Sequence, residues 1–233
     1  ARQDNPRVVV YEERIRRGRI LDRDGEPLAD IRIAPSGVVT RTYPVPEAAP
    51  VVGYATLRYG TGGIEAAHDE ALRGEMGRGS LEAVWQALLH RPPEGRDVQL
   101  TLDAELQSLA QKTLEGEAGA AVLLEADTGR VLAMASSPTF HPGHLEDAWE
   151  ALREDASAPL LNRATQGLYQ PGTVLQTVIV AEALHQGIID DLGQDVGGAL
   201  TERIPVDGSE LACSAAPDGA PTLANAYASG CPA

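Results

Sequence analysis

The segment from Val174 to Gln186 limits the fold most strongly, because it is apolar on most of its sides. Its apolar residues are Val174, Leu175, Val178, Ile179, Val180, Ala181, Ala183 and Leu184. The segment is predicted to be a helix that ends at Gly187. A helix that is apolar all round is normally buried, so we expect other elements to cover it. At 233 residues and 43% apolar composition, the chain can supply such a core.

The N-terminal part of the chain is predicted to form irregular β structure. Short apolar runs, Val8 to Tyr11 and Val51 to Tyr54, alternate there with Gly, Pro and Asp turn signals. Helices are predicted at Ile64 to Leu72 and at Leu81 to Leu89. The second helix runs into Pro92-Pro93, which indicates a boundary.

After this boundary the pattern changes to mixed strands and helices. Asp103 follows a predicted strand from Val98 to Leu102, and it can cap a helix. The apolar face of that helix would consist of Leu106, Leu109, Ala110 and Leu114. Further predicted elements are a hairpin of Ala120 to Glu125 with Arg130 to Ala135, a helix from Leu145 to Arg153, a hairpin within Arg203 to Cys213 and a helix from Thr222 to Ser229.

Charge and cysteine content exclude several classes of function. Acidic residues number 34 and basic residues 19, and the net charge of -15 would repel nucleic acid and anionic lipid. Cys213 and Cys231 are too few for a zinc pattern, and either a disulfide or two thiols is open. The sequence has no apolar run of about 18 residues and no signal peptide, although an anchor could have preceded it.

Several segments resemble, in the same order, class B penicillin-binding proteins. The segment from Arg17 to Ala29 resembles the RGxIxDRxGxxLA signature of the family's N-terminal pedestal, and Gly60 to Glu65 resembles its GxxGIE element. The TIDxxLQ opening of the transpeptidase domain is similar to Thr101 to Gln107. Gly119 to Pro138 resembles the first hairpin of that domain, and Tyr169 to Gly172 resembles the approach to its nucleophile.

The resemblance implies a fold, a domain division and a location. The fold would be α/β (α+β), with a β-rich pedestal or dimerisation-type region at 1–96 and a partial, serine β-lactamase-like transpeptidase domain at 97–233. Family members lie outside the cytoplasm on an N-terminal membrane helix, so the same extracytoplasmic location is implied here. The anchor would precede this chain.

The family's nucleophile and base positions carry other residues in this chain. The family has SxxK, in which serine attacks the acyl carbon and lysine accepts its proton, whereas this chain has Thr173-Val174-Leu175-Gln176. Thr173 keeps a hydroxyl, but Gln176 is a neutral amide that cannot take up a proton. The same residues fit a capping box, in which both side chains bond backbone N–H groups at the helix start. We favour the cap over a surviving nucleophile.

The other two family motifs are also degenerate. The counterpart of SxN is Gly230-Cys231-Pro232, which would lack both functional side chains; a shift of one residue would place Ser229 at the serine position. KTG does not occur in the sequence. If the transpeptidase sheet is incomplete, exposed apolar surface predicts self-association into a homo-oligomer.

The sequence therefore predicts a penicillin-binding-protein-like pseudoenzyme of peptidoglycan synthesis, with a scaffold, regulatory or ligand-binding role. The alternative is an active, β-lactam-binding DD-transpeptidase that uses Thr173 with a base from elsewhere. Expected partners are peptidoglycan stem peptides or other cell-wall synthesis proteins. No cofactor or metal is predicted, because the pair His141 and His144 fits no ligand template, and the acidic residues Asp147, Glu150, Glu154 and Asp155 suit a solvated face.

Overall fold

The computed structural model describes residues 12–75, 94–169, 174–195, 203–206, 208–216 and 219–231. The chain forms two compact units, 1–168 and 169–233. Helices and strands both occur, as the predicted α/β class requires. The predicted strand Val8 to Tyr11 and helix Leu81 to Leu89 lie outside the described residues. Within these ranges, no helix has the length and apolar character needed to cross a membrane.

The first unit begins with a small mixed sheet and a separate hairpin. The strands are β1 (Ile20–Leu21), β2 (Pro27–Ile33), β3 (Val39–Thr42), β4 (Tyr54–Thr56), β5 (Gly60–Gly62) and β6 (Val98–Gln99). Four of them form a sheet of order β3-β2-β1-β6, in which β1 and β6 are parallel. The strands β4 and β5 pair only with each other among the described elements. The sheet therefore joins the N-terminal region to the residues that follow the predicted boundary.

The turn between β1 and β2 depends on a buried aspartate and on glycines. Asp22 is almost fully buried, and its Oδ1 accepts hydrogen bonds from the backbone N–H groups of Asp24 at 2.9 Å and Glu26 at 2.8 Å. Gly25 has φ of 90°, a conformation that costs glycine little. At Gly18, a Cβ atom would collide with the Arg96 carbonyl. These contacts give a physical reason for the Arg-Gly and Asp-Arg-x-Gly pattern of this segment.

Short helices follow the first three strands. They are a 3₁₀ helix (Pro46–Ala48), α1 (Ala49–Val52), α2 (Gly63–Ala67) and α3 (Asp69–Leu72). The predicted helix from Ile64 to Leu72 is confirmed, with a break at His68. The prediction of β structure for Val51 to Tyr54 was wrong in its first half. Pro50 stands in the first turn of α1, where its fixed φ favours a helix start.

One apolar cluster holds these elements together. Its buried residues are Ile20, Leu28, Ala29, Ala48, Val52, Leu72 and Leu102. They come from β1, β2, the short helices and the segment that precedes the next long helix. The cluster therefore joins most of the described elements of the first unit up to Leu102.

A buried carboxylate lies beside this core. Glu65, on α2, has no exposed surface, and its Oε2 accepts from Arg17 Nη2 at 2.8 Å. Its Oε1 accepts from Arg41 Nε at 2.6 Å, and the Arg41 side chain is 6% exposed. Arg17 also donates to Asp69 at 2.7 Å. Three segments that are distant in sequence therefore meet at one ion cluster.

The helix α4 (Ala104–Thr113) and the hairpin β7 (Gly119–Leu124) and β8 (Val131–Ser137) begin the second half of this unit. Asp103 caps α4 as predicted, because its side chain accepts from the N–H groups of Glu105 and Leu106 at 3.1 Å. The predicted apolar face was wrong at Leu109, which is 63% exposed, and it left out Gln107 and Gln111, which are buried.

The two glutamines bond the free edge of β8. Gln107 Oε1 accepts from the Met134 N–H at 2.8 Å, and its Nε2 donates to the Met134 carbonyl at 3.1 Å. Gln111 does the same with the N–H and carbonyl of Ser136, at 3.1 and 2.9 Å. Residues four apart on a helix thus meet residues two apart on a strand. The helix needs polar side chains here because a strand edge needs hydrogen-bond partners.

The first unit closes with α5 (Leu145–Glu154) and α6 (Arg163–Gln166). The predicted helix Leu145 to Arg153 and the predicted hairpin are both confirmed within a few residues. Trp149 on α5 stacks on Tyr59 at 4.4 Å between ring centroids. Tyr54 meets Trp149 and Phe140 edge-on, at 5.8 and 6.0 Å. These rings pack α5 against the β4-β5 hairpin.

The second unit contains α7 (Val174–His185), the hairpin β9 (Arg203–Val206) and β10 (Ser209–Ala212), and α8 (Leu223–Ala228). All three predictions for this region are confirmed as elements. The expected burial of α7 was wrong: Val174, Val178 and Ile179 are 71, 64 and 58% exposed. The described elements of this unit cover only the stripe that contains Gln176 and Val180, because α8 is a single short helix.

We expect Glu65→Gln to destabilise the first unit by about 3–5 kcal/mol, because Arg41 would then be buried without a counter-charge and Arg17 would keep only Asp69. Urea unfolding followed by tryptophan fluorescence measures the change. Glu94→Gln is the matched control, since the Glu94 pair with Arg16 is exposed and is worth only about 0–1 kcal/mol. Equal changes for the two variants would show that the buried cluster does not stabilise the fold.

We expect Gln111→Leu to cost about 1–3 kcal/mol for each backbone group of Ser136 that it leaves unsatisfied. Hydrogen exchange should show faster exchange of the Ser136 amide in this variant than in the unaltered protein. Gln166→Leu, at an exposed glutamine of α6, is the control and should leave that amide protected. Unchanged protection in Gln111→Leu would mean that the edge of β8 does not depend on the glutamine.

Candidate functional site

The start of α7 and the end of α8 meet in the second unit. Gln176, at the predicted base position, donates a hydrogen bond from Nε2 to the carbonyl of Cys231 at 2.6 Å. Cys231 is the middle residue of the predicted SxN counterpart, and Gly230 precedes it. Thr173 and Pro232 lie outside the described residues, so the nucleophile position and the predicted capping box stay predictions.

The end of α8 is built so that the Cys231 carbonyl reaches Gln176. Thr222 caps the helix, with Oγ1 accepting from the Asn225 N–H at 3.3 Å. Gly230 has φ of 59° just beyond the helix, and the Cys231 N–H returns to the Ala226 carbonyl at 2.8 Å. This is a glycine-terminated helix end, which turns the chain sharply. Cys231 is buried as a result.

A disulfide also fixes Cys231. Cys231 bonds Cys213, which directly follows β10 and lies 18 residues earlier in the sequence. The Ala215 N–H also donates to the Ser229 carbonyl at 3.1 Å. The sequence left open whether the cysteines were bonded, and the structure contains the bond. The hairpin, the end of α8 and Gln176 thus form one connected assembly.

A cavity of about 270 Å³ adjoins this contact. Its lining is largely apolar and consists of Gln176, Ile179, Val180, Ala183, Ile189, Leu223, Tyr227 and Cys231. Beside it, the Thr177 hydroxyl and the Tyr227 hydroxyl share a hydrogen bond of 2.7 Å. The buried Oε1 of Gln176 has no hydrogen-bond donor among the residues that the structure describes.

The described groups at this site offer no base for serine-type acyl transfer. Gln176 is neutral, and its amide nitrogen already donates to Cys231. Gly230 has no side chain. The sequence contains one lysine, Lys112, which lies on α4 in the first unit and pairs with Glu47 at 3.4 Å. The arrangement can therefore hold the two motif positions together, but it does not place a proton acceptor between them.

Sequence reasoning missed two parts of this site. The acceptor for Gln176 is a backbone carbonyl, which no side-chain pattern can indicate. Thr177 and Tyr227 belong to no family motif. Thr177 directly follows the predicted base position, and Tyr227 lies three residues before Gly230. The one residue in the sequence that could have drawn attention to this contact was Cys231, at the centre of the SxN counterpart.

The other candidate residues do not form a site. His141 and His144 are exposed, with ring centroids 4.7 Å apart, and His141 Nδ1 accepts from the Gly143 N–H at 3.2 Å. The acidic residues of α5 are exposed as well, and the Ser157 N–H and hydroxyl lower the pKa of Asp155 by hydrogen bonding. Across the described ranges, no cluster of three or more His, Cys, Asp or Glu residues could hold a metal.

Two family models match the chain in consecutive segments. The penicillin binding protein A dimerisation domain matches residues 17–98. The penicillin binding protein transpeptidase domain matches residues 119–197. The second match includes Gln176 and the start of α7.

Curated relatives and solved structures agree with these matches. The peptidoglycan D,D-transpeptidase PbpA of Mycolicibacterium smegmatis is 34% identical over 199 residues, 78% of this chain and 40% of that protein. The peptidoglycan D,D-transpeptidase MrdA of Acinetobacter baumannii is 36% identical over 55% of this chain and 21% of its own length. The chain thus spans less than half of these relatives.

The solved structures cover more of the chain. The imipenem acyl-enzyme complex of penicillin-binding protein A from M. tuberculosis matches with a TM-score of 0.79 and 29% identity, over 94% of this chain and 54% of that one. A D,D-transpeptidase domain from Eggerthella lenta matches with a TM-score of 0.74 and 32% identity, over 91% of this chain and 47% of that one. With both family models in the expected order and a shared fold, the chain belongs to the class B penicillin-binding protein family.

Proposed function

We propose that this protein takes part in peptidoglycan synthesis as a penicillin-binding-protein relative that does not form an acyl-enzyme. The observation that carries the proposal is the hydrogen bond from Gln176 Nε2 to the Cys231 carbonyl. The position at which the family has its lysine base holds a neutral amide in a structural contact. Its role would then be to bind or scaffold, not to transfer an acyl group.

The missing base sets the expected loss of rate. A positioned general base contributes about 10²- to 10⁴-fold to a reaction of this type, and an unactivated hydroxyl is a weak nucleophile. Thr173 would also carry a methyl group that crowds its oxygen. Because nucleophile and base act as one unit, the loss of the base alone slows acylation about as much as the loss of both would.

The location and partners follow from the same proposal. A disulfide between Cys213 and Cys231 fits an oxidising compartment, which supports an extracytoplasmic site of action. An N-terminal membrane anchor would hold the protein there. The proposed ligands are peptidoglycan stem peptides or other proteins of cell-wall synthesis.

A second candidate is an active DD-transpeptidase. Thr173 retains a hydroxyl at the nucleophile position, and penicillin-binding protein A from M. tuberculosis, to which the chain is similar, forms acyl-enzymes. This candidate requires a base from another part of the protein. The two candidates differ in whether a covalent adduct forms.

Incubation with imipenem followed by intact mass spectrometry separates them. We expect the mass of this protein to stay unchanged, because Gln176 cannot accept the proton of an attacking hydroxyl. Penicillin-binding protein A from M. tuberculosis, treated in parallel, is the positive control. An adduct on the unaltered chain that disappears in Thr173→Val would establish the active enzyme and refute the non-acylating role.

Self-association is a further expected property of this chain. The exposed apolar residues Val174, Val178 and Ile179 on α7 would be covered by a second copy. Light scattering should give the mass of a dimer, and Val178→Glu should shift it toward the monomer by placing charge in the interface. Thr40→Glu, at an exposed position of β3, is the control and should leave the dimer intact. A monomer at all concentrations would contradict the expectation.

A further inference from the structure

A second cavity, of about 240 Å³, lies within the first unit and away from the motif positions. It is bounded by α1 and the β4-β5 hairpin on one side, and by the end of β8 and α6 on the other. Gly63, Thr165 and Gln166 on its lining are exposed, so they form its rim. The site proposed above does not use any of these residues.

The lining of this cavity is uncharged. Charged residues make up 23% of the sequence, yet none of the fifteen described residues that line the cavity is charged. An ion that entered would lose hydration and gain no counter-charge, which is costly. Burial also raises the pKa of the Tyr54 hydroxyl, so the phenol stays neutral. The lining therefore selects for a neutral ligand.

The apolar part of the cavity is aromatic and held in place. Tyr54 and Phe140 line it with their rings edge-on at 6.0 Å, and Tyr54 is held from another side by Trp149 at 5.8 Å. Trp149 in turn stacks on Tyr59. A ring held by two neighbours loses little freedom when a ligand packs against it, which lowers the entropy cost of binding.

The polar part supplies hydrogen bonds without charge. The Gln166 side chain makes no hydrogen bond within the described residues, so its amide can both donate and accept. The Thr165 hydroxyl donates weakly to the Asn162 carbonyl at 3.4 Å and keeps its acceptor capacity. Asn162 fixes this wall to α1, because its Nδ2 donates to the Pro50 carbonyl at 2.6 Å.

We propose that this cavity binds one ring of a neutral pyranose sugar. A pyranose has an apolar C–H face that fits an aromatic wall, and hydroxyl groups that fit amide and hydroxyl partners. An apolar cavity of about 150 Å³ holds one benzene ring, so 240 Å³ suits one substituted six-membered ring. It is smaller than the cavities of about 300–1,000 Å³ that bind drug-sized ligands. The proposal is independent of acyl transfer.

Saturation-transfer NMR with the full chain tests the proposal, using N-acetylglucosamine as the probe. We expect a saturable signal and shifts of the Gln166 side-chain amide in ¹⁵N spectra. Glucosamine, which carries an ammonium group at neutral pH, should bind at least about tenfold more weakly, because the cavity offers it no counter-charge. N-acetylalanine amide is the neutral peptide probe and should give no saturable signal.

Variants at the rim connect the signal to the cavity. Thr165→Trp should abolish binding by filling the opening, and Gln166→Ala should weaken it about fivefold to tenfold by removing the amide. Both residues are exposed, so the melting temperature should hold. Gln186→Ala, at an exposed glutamine just after α7, is the matched control and should bind as the unaltered protein does.

Four outcomes would overturn the proposal. They are no saturable signal with N-acetylglucosamine, equal binding of glucosamine, saturable binding of the peptide probe in place of the sugar, and unchanged sugar binding by Thr165→Trp. None of them bears on imipenem acylation, so failure here is distinct from failure of the proposed function.

Discussion

The buried carboxylate of Glu65 is the contact on which the first unit depends. It accepts from Arg17, which precedes β1, and from Arg41 on β3, while Arg41 Nη1 donates to the Gly18 carbonyl at 2.8 Å. A buried charge costs several kcal/mol unless it is paired and hydrogen-bonded, so these segments cannot take their positions one at a time. The Arg-Gly signature near the N-terminus and the Gly-Ile-Glu element after β5 therefore contribute to the same ion cluster.

The glutamines of α4 fix the β7-β8 hairpin in a similar way, through buried polar contacts. Each side-chain amide presents one donor and one acceptor, as a neighbouring strand would, and Gln107 also donates to the Glu47 carbonyl at 3.0 Å. The helix thereby replaces a strand along the edge of β8 and joins that edge to the 3₁₀ helix before α1. Because neutral amides cost less to bury than charges, this edge is completed without a second ion cluster.

Local features of the fold could be predicted from the sequence, and burial could not. Asp103 and Gly187 mark helix ends by backbone chemistry that acts within a few residues, so both helices were found. Leu109 was expected inside and lies outside, because the partner of α4 is a strand edge that prefers glutamine. At the candidate site, the spacing of Thr173 and Gln176 was visible in the sequence. The acceptor of Gln176 was not, because it is a backbone carbonyl 55 residues away.

The contact between Gln176 and Cys231 gives a physical reason for an amide at position 176 under the proposed function. A lysine at position 176 would bring a charge that needs an acceptor and that titrates, whereas an amide needs only a hydrogen bond and has no charge to lose. The chain supplies that bond from a residue that the disulfide and the end of α8 already fix. If the proposed function is correct, this bond holds the two motif positions together without a titrating group.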